Sequence, residues 1–189
     1  ANLFEGVIAR ANVMKGQFLS TGAVKVKENN VDMSIDYGVP SSAKVEMTDW
    51  SKPDADIMGD IQKMVAIAED NGYVASNSVT SLKMINYMRN NTAMQTAVLG
   101  AANKRLLTKQ ELTNLLMQEY GITIDRCDEK FRFRKADGSL KTGRYFKEDV
   151  FTLYEAEPNG SFGTGLWGVT PEELEYRQFI QEENRPFVT

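Results

Sequence analysis

The sequence predicts an α+β fold, with a mixed or antiparallel sheet flanked by helices. Helix-type and strand-type apolar periodicities both recur along the chain, but in separate runs. The strand-type runs come as pairs joined by short turns, without the regular strand–helix–strand alternation of a doubly wound sheet. A length of 189 residues with 42% hydrophobic and 25% charged side chains fits one domain, or one domain plus a lobe, with a buried core.

Residues 3–22 carry Leu3, Phe4, Val7, Ile8, Ala11, Met14 and Phe18 near helical spacing, and Gly22 supplies a stop. Val24 and Val26 alternate with Lys25 and Lys27, and Val31, Met33, Ile35 and Tyr37 alternate with Asp32, Ser34 and Asp36. Both runs predict half-buried strands, joined by a turn at Glu28-Asn29-Asn30 and ended by Gly38 and Pro40. A helix comes next, with Ser51 as its cap, Pro53 in its first turn, and Asp54 and Asp56 at its positive end. Its apolar stripe is Ile57, Ile61, Met64, Val65 and Ala68, and Gly72 closes it.

A shorter helix is predicted from about Val79 to Arg89, burying Leu82, Ile85, Tyr87 and Met88 and broken by Asn90-Asn91-Thr92. Residues 92–107 carry no clear period. Thr108-Lys109-Gln110-Glu111 is a capping box, opening a helix with Leu112, Leu115 and Leu116 that ends at Gly121. Residues 122–128 read as a strand, and 131–146 as a hairpin turning at Asp137-Gly138. Residues 149–156 read as a further strand. Thr170-Pro171-Glu172-Glu173 is a second capping box before a short helix.

Composition excludes much chemistry. The chain has no histidine, so His-based triads, Cys-His dyads and His-containing metal sites are absent. A single cysteine, Cys127, rules out an internal disulfide and fits a reducing compartment. A net charge of −4 does not favour charge-driven nucleic-acid binding. No apolar run approaches the roughly 18 residues of a membrane helix, so no membrane partner is expected.

Gly163–Gly168, GTGLWG, matches the dinucleotide fingerprint. That fingerprint needs a strand directly before it, a helix starting within it and an acidic residue about 20 positions later. Here Glu157–Ser161 intervenes, the next helix is capped only at Thr170, and too few residues come after Gly168 for a helix and a second strand. The stretch reads as a tight loop anchored by Phe162 and Trp167. No cofactor, metal or catalytic residue is assigned.

Asp54, Asp56 and Asp60, and likewise Glu172, Glu173 and Glu175, read as solvated acids near helix starts. Asp125, Asp128 and Glu129 could form a magnesium site, but they lie at a strand end without the repeated spacing of a calcium loop and also read as surface charges. Lys130, Arg132, Arg134 and Lys135 interleave with Phe131 and Phe133. This is the pattern of a strand with one charged face, suited to an acidic patch on a neighbouring copy or, less favoured, to single-stranded nucleic acid.

Several stretches, taken in order, resemble the major capsid proteins of tailed phages, of the lambda-like major capsid protein E type. ARANVMKGQFLSTGAVKV and then VDMSIDYGVP resemble a spine helix leading into the axial domain. The segment from DWSKPDADIMGDIQ to NYMRNN resembles that domain's Trp-x-x-Pro-Asp helix and the segment after it. GITIDRCDEKFRFRKADGSLKTGRYFKEDVFTLYEAEPNGSFGTGLWGVTPEE resembles its later portion, with Gly168-Val169-Thr170-Pro171-Glu172 the sharpest element.

The resemblance implies a Hong Kong 97-type capsid fold. Residues 1–30 would be the spine helix and following strand of a peripheral domain, and 31–189 an axial-type domain and following segment. The family has an N-terminal arm and extended loop before the spine helix and continues past this C-terminus, so the chain is expected to be a fragment. The function implied is a structural, non-enzymatic subunit of a bacteriophage or prophage icosahedral capsid. Its partners would be its own copies in hexamers and pentamers, scaffold, decoration and portal proteins, and non-specifically packaged DNA. Its location would be the virion, and the bacterial cytoplasm during assembly.

The axial-domain helices and residues 121–170 are expected to meet neighbouring copies, with Glu46, Asp49 and Lys52 among the contacts. The alternative is a small-ligand or nucleotide-binding protein or enzyme using the Gly163–Gly168 loop.

Overall fold

The computed structural model describes residues 3–28, 31–134 and 137–155, all within one compact unit, Ala1–Ala156. The GTGLWG loop, the second capping box, Glu172, Glu173, Glu175 and Lys135 lie outside the described residues, as does the Asn29-Asn30 turn.

The architecture is α+β, as expected. Helix α1 (Leu3–Thr21) leads into the antiparallel hairpin β1 (Ala23–Glu28) and β2 (Val31–Asp36). A loop with one short 3-10 turn precedes α2 (Ile57–Asp70). Then come β3 (Asn77–Thr80), α3 (Leu82–Asn90), α4 (Thr92–Leu99), α5 (Lys109–Tyr120) and β4 (Thr123–Arg126). The hairpin β5 (Lys130–Arg134) and β6 (Leu140–Arg144) and the strand β7 (Phe151–Tyr154) complete the described chain. The central sheet is mixed, in the order β4-β3-β7, with β3 parallel to β4 and antiparallel to β7.

The hydrophobic core lies where the helices meet this sheet. Ile57 and Ile61 from α2, Met84, Ile85 and Met88 from α3, and Leu112, Leu115 and Leu116 from α5 converge with Met94, Leu107, Ile122, Trp50 and Phe151. Each such buried side chain contributes about 1.5–3 kcal/mol relative to exposure. The predicted stripes of α2 and α5 supply core residues as expected. In α3, Met84 is buried while Leu82 and Tyr87 are only half-buried.

Four local expectations are corrected. The helix expected from Val79 begins at Leu82, capped by Ser81, because Asn77–Thr80 forms the central strand β3. Its hydroxyls explain how so polar a strand is buried: Ser78 donates to the Thr123 carbonyl at 2.8 Å and Thr80 to the Val150 carbonyl at 2.7 Å. The second helix is capped by Asp56, not Ser51. Asp56 accepts from the Gly59 amide at 3.0 Å, while Ser51–Asp54 lies in a preceding turn.

The third correction is that residues 92–107 contain a helix, α4, capped by Asn91. The fourth is that β2 is not half-buried. Among the described residues it pairs only with β1 and leaves Met33, Ile35 and Tyr37 exposed, although Tyr37 stacks edge-on against Phe18 at 4.7 Å. Val7 and Ile8 on α1 are exposed as well.

The Thr108 capping box is reciprocal, as expected. Arg105 adds a fork onto Glu111, and with the Thr108 bonds it holds that carboxyl down at about 2. Gly22 ends α1 at φ +71° and Gly121 ends α5 at φ +67°, conformations that favour glycine.

Helix α1 is fastened to the rest of the unit through its last turns. Thr152 donates to the Leu19 carbonyl at 2.8 Å, and the Lys147 amide donates to the Ser20 hydroxyl at 3.1 Å. Gly16 permits this approach, since a Cβ there would overlap the Tyr145 carbonyl, a backbone group that cannot swing aside. Gly16→Ala is therefore expected to lower stability by about 1–3 kcal/mol through overpacking, despite alanine's better helix propensity. Gly6→Ala, which meets nothing within 4 Å, is the control and is expected to be neutral or stabilising. Urea midpoints of the two variants read the difference.

Candidate functional site

Two polar clusters shape the exposed parts of the molecule. The first surrounds Asp60, which α2 carries into the core at 2% exposure. One oxygen, Oδ2, accepts from the Thr48 amide at 2.8 Å, the Thr48 hydroxyl at 2.7 Å and the Trp50 indole at 2.9 Å. Lys63 lies 3.9 Å from the other oxygen. Burial pushes this carboxyl up, but the Trp50 and Thr48 hydrogen bonds, with the Lys63 charge, outweigh it and leave the group below the ordinary carboxylate value. Asp60 is thus a structural anion at the root of the 48–56 loop, not the solvated helix-start charge that the sequence implied.

That loop is held from its other side by Asn91, which is fully buried. Its amide donates to the Pro53 carbonyl at 3.1 Å and the Ala55 carbonyl at 2.7 Å, while its oxygen caps α4. Glu46, Asp49 and Lys52 sit exposed along the chain leading through this loop. Asp49 binds the Ser51 amide and hydroxyl and lies 4.0 Å from Lys52, so these two charges mostly satisfy one another.

The second cluster sits at the base of the β5–β6 hairpin. Asp128 accepts from the Leu82 amide at 2.8 Å, Arg126 at 2.6 Å and Arg144 at 3.0 Å, and Arg144 also reaches Glu148. Burial raises the Asp128 carboxyl, but the Arg126, Leu82 and Arg144 bonds more than offset this. Ser81 donates to the Glu148 carbonyl at 2.6 Å, and Lys83 pairs with Asp149 at 2.6 Å. Both legs of the hairpin are thereby latched to the start of α3. Asp128 is paired and half-buried, which corrects its reading as a free surface charge. Asp125 instead meets the Tyr154 hydroxyl at 3.3 Å.

Above this base the hairpin stands exposed. Its register places Lys130, Arg132 and Arg134 on one face with Leu140, Thr142 and Arg144, and Phe131, Phe133, Lys141 and Gly143 on the other. Phe131 packs over Gly143, where a Cβ would collide with its ring, and stacks on Phe133 at 5.7 Å and Tyr145 at 5.0 Å. The alternation in the sequence thus becomes a charged face and an aromatic face, as expected of a strand.

No catalytic constellation forms among the described residues. No three Asp, Glu or Cys side chains there converge to hold a metal ion. Burial, and then the Glu129 carboxylate, push the Cys127 thiol up and away from the reactive thiolate. The groove between Ile85, Leu112 and Ile124 is rimmed by Lys109, Thr113 and Arg126, with no carboxylate or activated nucleophile. The Asp60–Trp50 and Asp128–Arg144 pairings leave no signature in the sequence, because each joins positions in separate elements.

Asp60→Ala leaves the buried Trp50 indole without an acceptor and is expected to cost roughly 2–3 kcal/mol, read from urea denaturation tracked by tryptophan fluorescence. The pH dependence comes from the lowered folded value of Asp60. Its stabilisation is complete above the unfolded value of 3.8 and is lost as pH falls below it toward the folded value. Asp60→Asn is expected to flatten the loss of stability below pH 3.8, measured by thermal melting across an acid series.

Comparison with known proteins gives two matches. A family profile described as phage major capsid protein E matches residues 3–178. Among solved structures, one assigned to a prophage capsid protein of E. coli CFT073 is similar at 14% identity with a TM-score of 0.47. The match covers 79% of this chain and 45% of that one, so the chain spans under half of that protein's length. No curated protein matches the sequence.

Proposed function

The chain belongs to the phage major capsid protein E family, and we propose that it builds the wall of an icosahedral capsid by assembling into hexamers and pentamers around packaged DNA. The observation that carries this reading is the family match, which takes in 3–178 and so nearly all the described residues. Family membership points to a structural, non-enzymatic role in the virion capsid. The finer statements are our own: a Hong Kong 97-type fold, assembly in the bacterial cytoplasm, and association with scaffold, decoration and portal proteins.

The domain assignment is likewise part of the proposal. Residues 1–30 would serve as the spine helix and following strand of a peripheral domain, and 31–189 as an axial-type domain and following segment. The boundary at residue 30 falls in the turn of the β1–β2 hairpin, whose two strands pair over six positions each. The hairpin would then join the two parts.

Three features support an assembly role. Hairpin β1–β2 presents Met33, Ile35 and Tyr37 to the outside, α1 presents Val7 and Ile8, and β5–β6 presents a charged face. Exposed apolar side chains in such groups mark surfaces that meet other proteins.

Expressed in bacteria from its complete reading frame, the protein is expected to form closed shells or capsomer rings visible by negative-stain electron microscopy. A monodisperse monomer at high concentration would overturn the reading.

A further inference from the structure

The net charge of −4 hides an uneven distribution. Residues 130–144 hold six basic side chains against the single acid Asp137, so the remainder of the chain is more acidic than the total. At the hairpin base the charges are already committed. Asp128 takes Arg126 and Arg144, Glu148 takes Arg144, and Asp149 takes Lys83. Above that base Lys130, Arg132, Arg134 and Lys141 stand exposed, with no ion pair among the described residues. Asp137 sits in the turn, where its carboxylate accepts from the Ser139 amide at 2.8 Å and the Ser139 hydroxyl at 2.6 Å.

The register sets three of the four charges in a row. Lys130, Arg132 and Arg134 alternate along β5, on the face that also carries Thr142 and Leu140 of β6. Successive charges are therefore about 6.6–6.8 Å apart along the strand. Neighbouring phosphates along one nucleic-acid strand are a comparable distance apart, and Arg, Lys and Thr side chains are the groups that ordinarily bond them. Lys141 stands on the opposite face, paired with Phe133. Among the described residues the hairpin is a lone two-stranded ribbon, and a ribbon of that width enters the roughly 12 Å major groove of a B-form duplex. The mount is firm: the Leu82 amide donates to Asp128, Ser81 donates to the Glu148 carbonyl, and Phe131 stacks on Tyr145. A ribbon ordered in advance loses little freedom on binding.

We infer that the β5–β6 hairpin docks on the phosphate backbone of duplex DNA. This deepens the capsid reading and rests on it for the partner, since a shell wall faces the DNA it encloses. Phosphate contacts fix position without reading sequence. One copy offers four charges, so its own hold is weak and salt-sensitive, while many copies in one wall hold the duplex together far more strongly.

The test is fluorescence anisotropy of a short fluorescein-labelled duplex titrated with the whole chain. Binding at low ionic strength is expected to fall with added salt, with a log–log slope of about −3 to −4. Two duplexes of unrelated sequence are expected to bind alike. R132E/R134E is expected to weaken binding at least about tenfold, and K130Q/K141Q to make the slope shallower by about 2. K44E/K104E reverses as much charge at exposed positions outside the hairpin and is expected to stay within about threefold of wild type. Circular dichroism checks that all three variants keep the native fold.

A wild type that does not bind the duplex at low salt, hairpin variants that bind like wild type, or a K44E/K104E loss as large as that of R132E/R134E would each overturn the inference. Polyglutamate that displaces the labelled duplex as well as unlabelled duplex does, at equal charge, would assign the hairpin to an acidic protein and overturn it too. So would salt-sensitive self-association that R132E/R134E abolishes while duplex binding is unchanged. Electron microscopy of the complete reading frame separates the two levels. Shells built by a protein that does not bind the duplex sink this contact and leave the capsid reading standing. A protein that binds the duplex through the hairpin but builds no shells counts against the capsid reading instead.

Discussion

The loop from Thr48 to Asp56 has little apolar content of its own, and one carboxylate oxygen decides its position. Asp60 Oδ2 gathers three donors from Thr48 and Trp50. Holding the indole nitrogen fixes the ring, which then packs against Phe151 of β7 at 5.5 Å. Loop, helix α2 and sheet are therefore joined through one side chain. Asn91 closes the arrangement from the other side by holding the Pro53 and Ala55 carbonyls while it caps α4. A charge in the core is tolerable only when it is paired and hydrogen-bonded, and Asp60 has three hydrogen bonds on one oxygen and Lys63 near the other. The same bonds dictate where α2 begins, since residues 48–55 are committed to Asp60 and Asn91 and the helix starts only at Ile57.

The parts of this fold legible in the sequence are those with local causes. The apolar stripes of α2 and α5, the Thr108–Glu111 capping box and the Asp137-Gly138 turn depend on residues a few positions apart, and each is found where its pattern lies. Strand β3 is illegible because its cause is distant. Ser78, Thr80 and Ser81 are polar and helix-adjacent in the sequence, yet their hydroxyls bond carbonyls 45, 70 and 67 positions away. Asp60 misleads for the same reason: acids near a helix start are usually solvated, and nothing nearby reveals that Trp50 folds back over it. Gly16 looks like a weakness in a helix, whereas it is the point where Tyr145 comes closest to α1.

The candidate surfaces are legible in part. Alternation of Lys130, Arg132 and Arg134 with Phe131 and Phe133 specifies the two faces of β5 directly. The latch at the hairpin base is hidden, because Asp128 and the Glu148 carbonyl meet Leu82 and Ser81 only in the folded chain. A mixed sheet with one hairpin inserted between β4 and β7 places all of that hairpin beyond one end of the sheet. Helix α5, which leads into β4, terminates at the other.

A subunit that assembles as we propose must bind its own kind without aggregating, and the hairpin's composition bears on that constraint. Two-stranded β5–β6 leaves strand edges unpaired among the described residues, and an unpaired edge invites another strand. A second β5 laid beside the first would bring Lys130, Arg132 and Arg134 against like charges, which is destabilising at cross-strand positions. Backbone pairing between equivalent hairpins is thus opposed. The hairpin is held firmly enough to present that face, because Asp128, Arg144 and Ser81 lock both its legs to the start of α3. Charge on the strand therefore guards the exposed edges against sheet-extending contact between copies while leaving that face free for side-chain contacts.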